Sequence, residues 1–228
     1  MKQHLKACQY STRLIEKLKS LDTQNTLDFD FIDKAVYWAK KYHDGQFRKS
    51  GEPFYSHPLE VAHMVSDHLL QTNTIVASIL HDIVEDTNVT IGMILDEFGW
   101  RIAEMVDRLT RDRPDGTKFS VEEIISLAIE KDDREILFIK AMDRLHNVQT
   151  ISFMPVHKQK KQLKQTIKEF LILFEYLELP YTMINLLKHH HSDVLPFSCP
   201  DYNRFAFGDS FQPLSLNIQN EINLGHTQ

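Results

Sequence analysis

Apolar residues recur at helical spacing along almost the whole chain, and no stretch alternates with the period of two that a half-buried strand requires. The pattern predicts an all-α protein. A first helix covers roughly Leu5 to Leu21 and is ended by LDTQNTLD, after which Asp30 is placed to cap FIDKAVYWAKKYH. The segment DGQFRKSGEPFYSHP, with Gly45, Gly51, Pro53 and Pro58, reads as a long loop between helices. Pro58 suits the first helical position, which makes PLEVAHMVSDHL a helix and leaves His57 extended at its N-terminal boundary. TIVASILHDIVEDT reads as one continuous helix. Thr90 then caps IGMILDEF, Gly99 interrupts, and WRIAEMVDRLTR resumes. Beyond a second charged loop, RDRPDGTKF, Ser120 and Glu123 form a capping box for VEEIISLAIEK. DDREILFIKAMDRLHNVQTI and the amphipathic KQKKQLKQTIKEFLILFEYLEL supply two more helices, and Tyr181 to His191 a short last one. From Ser192 the pattern fades into a loosely packed or disordered tail.

Composition narrows the function. The net charge of -6 gives no basic footprint for nucleic acid, so an anionic ligand needs a local patch of Arg and Lys. No apolar run approaches the roughly 18 residues of a membrane span, and the N-terminus has no signal-peptide core; the expectation is a cytoplasmic protein with no membrane partner. Cys8 and Cys199 lie in no metal-binding spacing and read as two unpaired thiols.

Three clusters can carry chemistry. In ILHDIVEDT an ideal helix puts Val76, Ile79, Leu80, Ile83 and Val84 on one stripe and His81, Asp82, Glu85 and Asp86 on the other side. That is what a solvated acidic face shows, except that no Lys or Arg stands four residues on. In FIKAMDRLHNVQT, Lys140, Asp143, Asn147 and Thr150 share a face, which reads either as a Lys140–Asp143 ion pair or as a metal-binding Asp beside ligand contacts. RKSGEPFYSHP offers His57 with the cations Arg48 and Lys49, either a basic turn or a ligand site. Taken together, two imidazoles (His57, His81) and two carboxylates (Asp82, Asp143) form a mixed N/O donor set suited to Mn²⁺, with Fe²⁺ or Zn²⁺ as alternatives. Hydrolysis is the natural chemistry of such a site.

The order H, then HD, then D resembles the HD-domain metal-dependent phosphohydrolases. FRKSGEPFYSHPLEVA, ILHDIVEDTNVT and IKAMDRLHNVQT further resemble the hydrolase domain of the RelA/SpoT family, from about Phe31 to Thr150. The resemblance implies an all-α HD bundle that removes pyrophosphate from the 3′ position of ppGpp and pppGpp, giving GDP or GTP. By position it places Mn²⁺ on His57, His81, Asp82 and Asp143, and a catalytic acidic pair on Glu85 and Asp86. It also places nucleotide contacts on Arg48, Lys49, Ser50, Asn147 and Thr150. His146 matches a letter of the family read here as supporting a ligand or filling core, and His43 a structural H-x-G-Q turn. Arg108-Leu109-Thr110-Arg111 stands where the family has G-V-T-K, which loses a Gly and puts that loop's geometry in question.

The implied organisation is an N-terminal helix over 1–28, a hydrolase core over 29–154, a helical extension packed on the core over 155–191, and the tail over 192–228. Too few residues follow the extension for a synthetase domain, so the expectation is a small stand-alone hydrolase with a guanine nucleotide as its small-molecule partner. Two alternatives remain: a phosphohydrolase for another nucleotide, and a non-catalytic nucleotide-binding HD module.

Overall fold

The computed structural model describes residues 8–112 and 116–179, so the predicted short helix after Tyr181 and the tail, with Cys199, lie outside the described residues. Ten α-helices occur among the described residues, with two isolated β-bridges and no strand. They are α1 (Gln9–Leu21), α2 (Phe29–Tyr42), α3 (Ser56–Val65), α4 (Thr72–Leu80), α5 (Ile83–Asp86), α6 (Ile91–Phe98), α7 (Trp100–Leu109), α8 (Val121–Glu130), α9 (Arg134–Gln149) and α10 (Val156–Tyr176). A 3₁₀ turn, Ile151–Phe153, joins the last two.

The fold is organised around α4. Every residue from Thr74 to Leu80 is buried, because this helix packs against α2, α3, α7 and α9 and so has no solvent face. Beyond its exposed first turn this helix is buried all round, with Thr74 and Ser78 hydrogen-bonded inside, so the two-stripe pattern read from the sequence does not apply to it. Each large side chain withdrawn from water here, such as Ile75, Ile79 or Leu80, contributes about 1.5–3 kcal/mol. At the far side of α9, α10 buries Leu163, Ile167, Phe170 and Phe174, with Leu177 just beyond its end, leaves Lys158, Lys160, Lys161 and Lys164 exposed, and packs on α8 and α9.

Most predicted caps are present. Thr90 accepts the Met93 backbone N–H, and Ser120 with Glu123 forms the expected box on α8. Two boundaries differ. The cap of α2 is Asp28, which accepts the Phe31 N–H at 2.9 Å, while Asp30 sits in the first turn, where a carboxylate also suits the helix dipole. Helix α3 begins at Ser56, so His57 is helical rather than extended. Pro58 is still tolerated, since N–H groups of a first turn have no intrahelical acceptor to lose.

Candidate metal centre and cavity

The predicted continuous helix over Thr74 to Thr87 is broken at His81–Asp82, and the break builds the site. His81 Nδ1 donates to the Ser78 carbonyl at 2.8 Å, a side-chain bond that takes over a carbonyl at the end of α4. The chain restarts as the four-residue α5, whose last residue, Asp86, is held by its N–H to the Asp82 carbonyl. His81 is thereby 1% exposed, not part of a solvated face.

With Nδ1 committed as donor, His81 Nε2 carries a lone pair, and that buried nitrogen has no hydrogen-bond partner. His57 is fixed in the same tautomer by a different route. Arg48 donates to His146 Nδ1 at 3.3 Å, so this nitrogen is an acceptor, and His57 Nδ1, 2.6 Å away, is the donor. His57 Nε2 then points its lone pair at Asp82 Oδ2 (3.3 Å) and Asp143 Oδ1 (3.2 Å). His81 Nε2 faces Asp82 Oδ1 at 3.1 Å and Asp143 Oδ1 at 3.9 Å. Lone pairs aimed at carboxylates repel unless positive charge lies between them.

A proton on Nε2 supplies that positive charge as well as an ion does, and the titration behaviour shows how strongly the two carboxylates call for it. Burial disfavours a charged His81, yet the carboxylates of Asp82 and Asp143 outweigh it and push its pKa up to about 9. Burial opposes ionised Asp143, but the hydrogen bond from His57 and the charge of His81 hold it at about 2. Asp82 is likewise driven well below the usual carboxylate range against the effect of burial, chiefly by His81. Ligand atoms of His57, His81 and Asp143 lie within 4.8 Å of one another, a spacing and donor chemistry that fit one divalent ion. Asn147 donates to Asp143 Oδ1 at 2.6 Å and orients it.

His57, Asp82, Asp143 and Asn147 line a cavity of ≈ 390 Å³, large enough for a nucleotide, with His81 directly beneath them. Arg48, Lys49 and Ser50 enter it from the turn closed by the Phe47–Pro53 bridge, where Gly51 has φ 86°. Only a glycine adopts that conformation without strain. Arg48 also donates to Thr150 Oγ1 at 2.9 Å, tying this turn to the end of α9. Asn147, Thr150 and Glu85 line the cavity as well. Asp86 does not; it is exposed at the outer side of α5. Partial burial of its carboxyl, with the charges of Asp82 and Glu85, raises its pKa to about 6.

His43 and His146 both lie against this apparatus. His43 Nδ1 donates to Gln46 Oε1 at 3.0 Å, and the Gln46 amide donates to the Asp86 carbonyl at 2.9 Å, so the turn steadies α5. His146 stacks on His57 with ring centroids 4.9 Å apart. The lost glycine costs nothing: Arg108 lies inside α7 and pairs with Asp133, and no residue from 108 to 111 has a positive φ. Arg111 donates its backbone N–H to Glu85 and lines the cavity. Sequence reasoning missed Arg144 and Phe170 on the cavity wall. Arg144 was legible as the residue one turn after Lys140; Phe170, on a distant helix, gave no local signal.

Comparison with known proteins places the fold. The HD-domain family model matches residues 35–173, from α2 through most of α10. The chain belongs to the HD-domain family. Among relatives of this HD domain, a probable guanosine-3′,5′-bis(diphosphate) 3′-pyrophosphohydrolase of Mycoplasma genitalium is 31% identical over 71% of this chain and 23% of its own length. A GTP pyrophosphokinase of Myxococcus xanthus is 37% identical over 61% of this chain and 20% of its own. The chain thus spans about a quarter or less of the length of these curated relatives. A solved metazoan SpoT orthologue, described as hydrolysing ppGpp, has the same fold, with a TM-score of 0.55 at 21% identity, covering 71% of this chain and 96% of that one. No helix among the described residues is long and apolar enough to cross a membrane.

Proposed function

We propose that this HD domain hydrolyses the 3′-diphosphate of ppGpp and pppGpp in an Mn²⁺-dependent reaction, releasing pyrophosphate and GDP or GTP. The observation that carries this reading is the convergence of two imidazole lone pairs and two carboxylates beneath a cation-lined cavity, with Glu85 on its wall. His57, His81, Asp82 and Asp143 hold the ion, which supplies Lewis acidity to offset phosphoryl charge and acidify water.

The protein groups divide the remaining work. Arg48, Lys49 and Ser50 receive the nucleotide from one side, and Asn147 and Thr150 from the floor. Glu85 holds the attacking water and accepts its proton, and Asp86 assists from the adjoining position on α5. The water oxygen bonds to the phosphorus attached to O3′, the P–O3′ bond breaks, and O3′ takes up a proton, so free 3′-hydroxyl and pyrophosphate leave. Relatives named for ppGpp hydrolysis support the choice of substrate over another nucleotide.

The test is incubation of metal-stripped protein with ppGpp, with and without added Mn²⁺, followed by ion-exchange separation of the products. Pyrophosphate and GDP in equal amounts, formed only with the ion, are expected. Pyrophosphate release that ignores Mn²⁺, or none in its presence, removes the reading.

A further inference from the structure

The cavity has a second cationic wall, opposite in sequence origin to the Arg48–Lys49 turn. Lys140 lies on α9 one turn before Arg144, and both line the cavity. Lys140 is 5% exposed, yet among the described residues its ammonium group has no hydrogen bond or carboxylate partner. The Lys140–Asp143 pair that helical spacing suggested is absent, because Asp143 is turned to the histidines and Asn147. Its ammonium opens onto the cavity, where no acceptor among the described residues competes for its donors and an entering anion can take them. Arg144 likewise has no hydrogen bond among the described residues; its guanidinium sits 4.3 Å from the ring centroid of Phe170, which is 1% exposed. A ring face holds a guanidinium in place while leaving its N–H donors free.

We propose that Lys140 and Arg144 form a subsite for a diphosphate group next to the metal centre, and that Phe170 of α10 is the positioning residue for Arg144. The two cations flank Asp143 in sequence and rise from the helix that carries it, so an anion they hold lies against the cluster of His57, His81 and Asp82. The subsite deepens the hydrolase reading and rests on it for the identity of the group held, the departing pyrophosphate. Helix α10 becomes a component of the site rather than a mere extension of the fold.

Calorimetric titration of inorganic pyrophosphate, inorganic phosphate and GDP into the full chain loaded with Mn²⁺ tests this. Lys140→Met and Arg144→Gln are each expected to raise the pyrophosphate Kd about 10-fold or more, the loss of one charge-assisted contact. Lys160→Met, on the exposed face of α10 and away from the cavity, is expected to change it less than about 3-fold at ordinary salt. Phe170→Leu is expected to weaken pyrophosphate binding about 5-fold and Phe170→Tyr to restore it, with bound Mn²⁺ unchanged in all variants. Unaltered pyrophosphate affinity in both cation variants overturns the subsite, as does equal weakening by Lys160→Met or loss of Mn²⁺ from the variants. Weakening confined to GDP or phosphate overturns the assignment to pyrophosphate. A chain that binds pyrophosphate through Lys140 and Arg144 but leaves ppGpp intact loses the hydrolase reading and keeps the subsite. One that cleaves ppGpp while the variants bind normally does the reverse.

Discussion

Asp82→Ala is expected to remove bound metal and hydrolysis together, lowering the Mn²⁺-dependent rate by about 10³-fold or more. Asp82 has an oxygen within 3.3 Å of each histidine Nε2, so it lies closer to both imidazoles together than Asp143, which is 3.9 Å from His81. Its loss removes one ligand and half the negative charge that faces the lone pairs of His57 and His81. Several kcal/mol of transition-state stabilisation depend on such an ion, and each 1.4 kcal/mol is tenfold in rate. Metal content measured on the purified variant, alongside ppGpp turnover, checks the result. A variant that keeps stoichiometric Mn²⁺ and full turnover would show that the ion is held elsewhere. Asn147→Ala makes a graded comparison, because it only frees Asp143 to rotate; outer contacts of this kind are worth about 10–100-fold.

Glu85→Gln should separate binding from chemistry. The amide keeps the size of the side chain and can still accept the Arg111 N–H, but it cannot take a proton. Turnover is expected to fall about 10²–10⁴-fold with KM and metal content little changed. The pH profile carries the contribution of Asp86. Its pKa is raised to about 6, so it is protonated below that value and ionised above it. The rate should therefore climb as pH rises through about 6 and level off beyond, and Asp86→Asn should flatten that limb. A wild-type profile without a rise in this range would exclude Asp86 from the proton path. Full activity in Glu85→Gln would exclude Glu85 as the base.

The chain's legibility follows the range of the interactions involved. Caps at Thr90 and Ser120 were readable because a side chain and the backbone it bonds are three residues apart. The same reasoning misplaced the cap of α2 by two residues, since Asp28 and Asp30 offer the same chemistry and the turn organised by Asp22 decides between them. The helix break at His81 was hidden. A straight helix accounts equally well for the local letters, and only burial of His81 against the rest of the bundle makes its bond to Ser78 preferable. The named residues of the candidate site were visible in short motifs, and the structure gathers all but the exposed Asp86 at the cavity or directly beneath it. What no motif conveyed was depth: His146 behind His57, and Phe170 behind Arg144, are partners brought by other helices.

The proposed ligand cluster also joins distant parts of the chain. His57 comes from α3, His81 and Asp82 from the break after α4, and Asp143 from α9, three segments that meet nowhere in the unfolded polypeptide. An ion seated there would work as a rivet through the middle of the bundle, binding only once the bundle has brought the three segments together. Folding and metal supply would then be one equilibrium: at a hundredfold excess over its dissociation constant such an ion would add about 2.7 kcal/mol to the native state. In a metal-starved solution the protein would lose its chemistry and part of its resistance to unfolding at the same time.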